Sequence, residues 1–330
     1  MGSRHRHTTT LLLAGLILVT GADAQPQSPA QGPAAPTPMG ADGQIFGDVP
    51  WAELTYSAHK FFLGAKTVIR AERLSAEALT EVLRTPPMER QVSVPAGGAA
   101  VLLVTTELPF GRDETVKLFF DPATGAAIGG EKTMLGRSAY HKFFRYTDKG
   151  LYTWRSAPAN EHESALSPAG WTGRSQHLVE PKVRPTRGMA VIDSYALLYL
   201  VAAARLDRRG SGLRLVMLAD DRYAEMTFVA GGLTYSRVNF DELRPGGNHH
   251  REGDVMVRTV RVTARALGGS EAREDVELGF LGMRGTLTIY LETGTALPVA
   301  LSGKIQHIGE VTVRLDKVIL KGTPAEEPIS

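Results

Sequence analysis

His249 and His250, in the stretch PGGNHHREGD, are the chain's one adjacent histidine pair. A metal held there would need a third ligand, and Asp241, Glu242, Glu252 and Asp254 are near enough in sequence to supply one. Neighbours on a strand point to opposite faces, so such a pair rarely closes on one ion. The expectation is a solvated loop. Residues 125–133 (GAAIGGEKT) superficially match a phosphate loop. The match breaks because Glu131 separates Gly130 from Lys132, and because a strand should follow, leaving no helix N-terminus to hold phosphate. His162-Glu163 lacks the second histidine one helical turn on that a zinc protease needs. Gly136-Arg137-Ser138-Ala139-Tyr140 departs from the nucleophile elbow at its last position. With no cysteine in 330 residues, a thiolate metal site, a cysteine nucleophile, a disulfide framework and a lipid-bearing mature cysteine are all excluded. The expectation is therefore a non-enzyme with no catalytic residue, no cofactor and no metal. A hydrolase or metal-dependent site assembled from distant strands is the alternative that spacing alone does not reveal.

The aromatic residues are more informative. Phe143, Phe144, Tyr146, Tyr152 and Trp154 fall in one expected hairpin, HKFFRYTDKGLYTWRS, and Tyr195 and Tyr199 lie one turn apart on an expected helix. Phe144, Trp154, Tyr195 and Tyr199 could line a pocket for an apolar or amphipathic ligand between helix and sheet. Core packing is the competing reading, because aromatics commonly fill sheet cores.

The elements that must position these residues begin after an export signal. Residues 1–10 carry Arg4 and Arg6 and no acid, 11–19 are an apolar run (LLLAGLILV), and Ala22-Asp23-Ala24 supplies small side chains where signal peptidase needs them. Nine residues rise only about 14 Å as a helix, short of a hydrocarbon core of about 30 Å. A cleaved signal peptide, residues 1–24 with cleavage after Ala24, is expected, with no transmembrane segment afterwards and a periplasmic location. Residues 25–44 (QPQSPAQGPAAPTPMGADGQ) offer almost nothing to bury and read as a disordered linker, and 322–330 as a flexible tail.

Between them, residues 45–321 read as a β-rich domain. Val260, Val262 and Ala264 alternate with Arg261, Thr263 and Arg265, Leu287 and Ile289 alternate with Thr288 and Tyr290, and Val311 and Val313 alternate with Thr312 and Arg314. That period belongs to half-buried antiparallel strands. Gly231-Gly232 is expected to turn a hairpin. The stretch SYALLYLVAAARL, opening at Asp193 or Ser194 and closing at Arg208-Arg209-Gly210, is apolar on every side, so it should be an enclosed helix. Ala76–Leu83 reads as a second helix or as a continuation of the strand before it. Residues 118–134 (LFFDPATGAAIGGEKTM) and 289–305 (IYLETGTALPVALSGKI) both run strand, acid, turn, strand. The expected fold is mainly β: a curved, half-barrel-like antiparallel sheet around one buried helix. Its two related sheet halves, 45–157 and 190–321, would be joined by a proline-containing stretch.

Three stretches together resemble the exported bacterial family called domain of unknown function 3108. They are AELTYSAHKFFLGAKTVIRAERL, DSYALLYLVAAARL and TLTIYLETGTALPVALSGKIQHIGEVTVRL, spanning residues 52–320, while residues 75–100 fall outside the match. That family has no established activity. The resemblance implies an envelope location and a β-fold similar to periplasmic lipoprotein carriers. With 37 basic against 35 acidic residues, no clustered basic surface argues for nucleic acid. The expected partners are a lipid or other apolar ligand, or an envelope protein. The function reads as non-catalytic binding, with a structural or assembly factor as the alternative.

Overall fold

Side-chain alternation turns directly into strands. Val260 and Val262 are buried and Arg261 between them is exposed, while Val311, Val313 and Leu315 are buried and Thr312 and Arg314 exposed. The computed structural model describes residues 46–322, apart from 61–62, 85–91, 109–111, 137, 186–188, 220, 269–275, 277, 279, 281–282 and 306–308. The expected signal peptide, the linker and nearly all of the tail lie outside the described residues.

The strands before the proline-containing stretch are β1 (Trp51–Lys60), β2 (Leu63–Leu74), β3 (Ala99–Leu108), β4 (Arg112–Phe120), β5 (Ala127–Met134), β6 (Tyr140–Thr147) and β7 (Gly150–Ala157). After them come β8 (Gly173–Val179), β9 (Val191–Ile192), β10 (Gly212–Ala219), β11 (Arg222–Arg244), β12 (Gly247–Ala266), β13 (Met283–Glu292), β14 (Pro298–Ile305) and β15 (Gly309–Leu320). Each pairs with its neighbours in the chain except β8 with β9, and the first strand pairs with the last. The strands thus follow a circuit that is open only between β8 and β9. All described pairings are antiparallel except β9 with β10 and a short contact of β11 with β15, Asp241 to Leu243 against Lys317 to Ile319. That contact closes β11 to β15 into a smaller ring. The expected curved antiparallel sheet around a buried helix is what forms. The proline-containing stretch is more than a connection, because it carries a helical turn and all of β8, so the first run of strands ends at Val179 rather than at residue 157.

Among the described residues three α-helices accompany the sheet: α1 (Ala76–Leu83), α2 (Glu161–Ser164) and α3 (Leu197–Ala203). Ser75 caps α1 by accepting from the Ala78 amide at 3.2 Å, and Leu79 packs on Ala99, Val101, Phe119 and Ile128 on the outer face of the sheet. The helix alternative at this position is the one observed. A 3-10 turn, Ser194–Ala196, leads into α3, and Asp193 accepts from the Tyr195 amide at 3.0 Å. Every residue of α3 is buried. The helix ends earlier than expected. The Gly47 amide donates to the Ala203 carbonyl at 3.1 Å, and Arg205, at φ +45°, turns the chain away. Arg208, Arg209 and Gly210 are exposed beyond it and do not form its C-terminus.

Gly231-Gly232 is a bulge rather than a turn. Ala230 pairs with Val260 and Leu233 with Arg258, so β11 runs straight through. A Cβ on Gly231 would sit 2.3 Å from Thr259 Oγ1, so the close approach of β12 is what requires glycine there.

The two similar stretches fold into turns that share three hydrogen bonds. In the β4–β5 turn Asp121 N–H donates to Ala126 O, Gly125 N–H to Asp121 O and Thr124 Oγ1 to Asp121 Oδ2. In the β13–β14 turn Glu292 N–H donates to Leu297 O, Ala296 N–H to Glu292 O and Thr295 Oγ1 to Glu292 Oε2. Gly125 and Ala296 are equivalent and both have positive φ, +76° and +55°. Gly125→Ala should destabilise by about 1–3 kcal/mol, because its Cβ would meet Leu200 Cδ2 at 2.8 Å in a left-handed conformation. Ala296→Gly should be neutral or stabilising by up to ~1 kcal/mol. Denaturant melts of both variants check this, and a loss of stability of similar size in the two would contradict it.

Candidate functional site

Sheet register divides the aromatic residues between two faces. Phe143 lies directly opposite Trp154, and Phe144 opposite Thr153. Successive residues of a strand face opposite ways, so Phe144 and Trp154 are on different sides of the sheet. Phe144 belongs to the core that surrounds α3, together with Tyr199. Tyr199, 2% exposed, has its ring edge-on to Phe120 at 5.0 Å and to Trp51 at 6.1 Å. The structure brings Phe144, Tyr195 and Tyr199 to the inner face and leaves Trp154 outside.

Tyr195 is a tie between helix and sheet. Its hydroxyl donates to Glu114 on β4 and accepts from Lys132 Nζ on β5 at 2.9 Å, and Lys132 pairs with Glu114 at 2.7 Å. Burial, reinforced by the Glu114 charge, raises the phenol far above its ordinary range. Tyr146 on β6 donates to Asp193 Oδ2 at 2.8 Å, so the residue that caps the helix is also held by the sheet. Beside them burial lowers the Lys142 ammonium, with the Lys132 charge adding to the effect and Asp193 and Glu114 opposing it. These opposed charges anchor the start of α3. Sequence reading missed them, although Glu114 stands in phase with Val116, Leu118 and Phe120 and so had to face inward.

Trp154 lines a different place, a cleft of about 330 Å³ on the outer face. Phe143, Trp154, Trp171 and His141 contribute rings, Pro168 and Ala169 close one side, and Ser156 and Arg174 stand at its edge. His141 meets Phe143 edge-on at 4.6 Å and shares a hydrogen bond with Thr133 Oγ1 at 2.8 Å. Burial lowers its imidazole, with Glu131 opposing, so the ring is held toward its neutral form. Trp171 was not foreseen. It arrives on residues 158–172, which fold from the end of β7 onto this face, and a lone tryptophan after Ser-Pro-Ala-Gly was the available signal. Its Nε1 is buried with no acceptor among the described residues, so packing alone positions the ring. Glu163 holds that segment in place. It accepts from Ala159 N at 2.9 Å, Thr172 N at 2.9 Å and Thr172 Oγ1 at 2.6 Å.

Two further clefts border β11. One, about 390 Å³, has Leu233 and Met256 beside Arg258 and Glu292. Its charges are engaged: Arg258 donates to Gly231 O at 2.8 Å and Glu292 pairs with Arg251 at 2.5 Å. The other, about 550 Å³, lies between Val238 and Leu315, and Arg314 spans it to reach Arg237 O at 3.1 Å. None of the three clefts is lined by Phe144, Tyr195 or Tyr199. His249 and His250 lie in β12, not in a loop, and are exposed. His250 Nδ1 is 2.9 Å from Asp241 Oδ1, and His249 is opposite Glu242. Among the described residues no three histidine or carboxylate side chains gather to hold a metal, and no helix is long and apolar enough to cross a membrane.

Fold and site together define a mainly β protein, its sheet wrapped on a sealed helix, with an aromatic cleft outside. No family model and no curated protein matches the chain. Among solved structures the chain is similar to a β-barrel-like protein of domain of unknown function DUF1849 from Brucella abortus. The two are 9% identical, with 84% of this chain and 99% of that one covered at a TM-score of 0.39.

The three hydrogen bonds to Glu163, first that from the Ala159 amide and then those from Thr172, favour its ionised form and hold its carboxyl below the usual value of 4.5. A lowered carboxylate contributes stability that is present above pH 4.5 and lost as pH falls through the folded value. Trp171 emission should therefore be constant near neutrality and shift to the red on acidification below the ordinary carboxyl range. Glu163→Ala should show the shifted emission already at neutral pH, and a Trp171→Phe variant should lack the transition. An acid transition unchanged in Glu163→Ala would remove the carboxylate from this role.

Proposed function

We propose that the protein is a non-catalytic binding protein of the cell envelope that holds an extended, proline-rich segment of a protein partner. The observation that carries this is the outer cleft, where Phe143, Trp154 and Trp171 converge from two strands and a folded-over loop. A polyproline II segment has no internal hydrogen bonds and is already extended, so it loses little entropy on docking against flat rings. Proline keeps its carbonyl acceptor while losing its donor, and the Arg174 guanidinium at the cleft edge supplies donors. Carriage of a lipid between helix and sheet has less support, because Leu197 to Ala203 and the rings around Tyr199 are closely packed. Export belongs to the same reading. It is supported by the charged start, the apolar run and Ala22-Asp23-Ala24, and by the resemblance of residues 52–320 to the domain of unknown function 3108 family.

Titration with a synthetic peptide of repeated Pro-x-x-Pro should give a saturable change in tryptophan emission. Trp154→Ala should weaken it at least about tenfold, a loss of ~1.4 kcal/mol, while Tyr235→Ala, on exposed β11, should leave it unchanged. Absence of saturation, or equal binding by Trp154→Ala, would sink the cleft as the binding site. Cell fractionation with N-terminal sequencing tests the address: a chain beginning at Gln25 outside the cytoplasm is expected, and a cytoplasmic chain retaining Met1 contradicts it.

A further inference from the structure

Three cations stand in one row across the inner face of the sheet. Lys132 on β5 lies directly opposite Lys142 on β6, and Lys142 lies directly opposite Arg155 on β7. Lys142 is two residues from Phe144, so the row shares the face of the core. Like charges directly opposed on adjacent strands are destabilising, and a row of three needs anions to offset it. Glu114 supplies one, 2.7 Å from Lys132 Nζ. Asp193 is the other carboxylate that acts on Lys142, and it is engaged by the Tyr146 hydroxyl and the Tyr195 amide. Lys142 and Arg155 lie against rings instead. The ammonium is 5.8 Å from the centre of Phe144 and the guanidinium 4.8 Å from that of Tyr140. Neither meets a carboxylate among the described residues.

We propose that Lys142 and Arg155 bind a small carboxylate from solution, at a site separate from the outer cleft. Charge selects the class of ligand. Three cations facing Glu114 and Asp193 leave a single positive charge over, which a monovalent anion neutralises and a divalent one exceeds. Shape selects it too, because the planar fork of a guanidinium matches the two oxygens of a carboxylate. Arg155 is exposed and Lys142 half-buried, so an ion arriving from water meets the guanidinium first and the ammonium behind it. The ligand is small because Phe144 and α3 fill the face beyond Lys142 with packed apolar side chains. Burial first, and the Lys132 charge second, lower the Lys142 ammonium, with Arg155 adding to the effect. A bound anion acts in the opposite sense and holds the amine protonated.

The test labels amines of the full chain with succinimidyl propionate, an uncharged ester, and reads each lysine by peptide mass spectrometry. Potassium acetate replaces potassium chloride at constant ionic strength. With a Kd of about 10 mM, about 100 mM acetate should slow labelling of Lys142 about tenfold. Lys149, exposed in the β6–β7 turn, should label at the same rate in both salts. Arg155→Met, on an exposed residue, should keep the melting temperature of the unaltered chain and lose the protection, and Arg155→Lys should restore part of it. Equal labelling of Lys142 in acetate and chloride would overturn the proposal without recourse to any variant. Equal slowing of Lys149 would overturn it as a general effect of the salt. Protection that persists in Arg155→Met would remove the guanidinium from the site. Stronger protection by phosphate than by acetate would overturn the assignment to a monovalent carboxylate.

Discussion

A helix with no polar side needs walls on all sides. Leu197 through Ala203 leave no face for water, and burying such a segment is worth roughly 1.5–3 kcal/mol for each large side chain removed from solvent. No single flat sheet can cover it. The circuit of strands that starts at β1, ends at β15 and stays open only between β8 and β9 is the arrangement that does. Tyr195, Asp193 and their partners on β4, β5 and β6 then set where along the sheet the helix sits. The apolar contacts supply most of the stabilisation, and the few polar ones fix the register of helix on sheet.

Much of this was legible in the residues. Period-two alternation in residues 260–266, 287–291 and 311–315 marked strands with one buried face, and the absence of any such period in 195–204 marked the enclosed helix. The matching offset between 118–134 and 289–305 reached as far as individual hydrogen bonds, because a turn is specified by a few neighbouring residues. The errors share a different cause. Gly231-Gly232 has the composition of a turn, but only Thr259 on the adjacent strand explains why Gly231 is needed. The end of α3 depends on the Gly47 amide, more than 150 residues away in the chain. Such long-range approaches leave no local mark.

The site was legible in composition and misread in place. Aromatic richness in residues 143–154 was real, yet a shift of one residue along a strand moves a side chain to the other face. Phe143 and Phe144 therefore serve different ends of the molecule, one in an outer cleft and one in the core. Trp171, and the part Glu163 plays in holding it, are not visible in composition, because a proline-containing stretch reads as a joint between sheet halves. It is a folded loop that brings a ring to a cleft begun by two strands.

The pairing of β1 with β15 bears on how the chain comes to be folded. Leu54 lies against Val318, and Trp51 against Leu320, so β1 waits for β15, roughly 250 residues later in the chain. Until residue 320 has emerged, one edge of β1 has no partner, and an unpaired edge is an invitation to aggregation. Contacts so far apart in the chain form slowly, because loop closure must be met before they contribute. The fold is thus one that a chain lacking β15 cannot complete, and holding the growing chain unfolded until β15 is available would suit it better than early collapse.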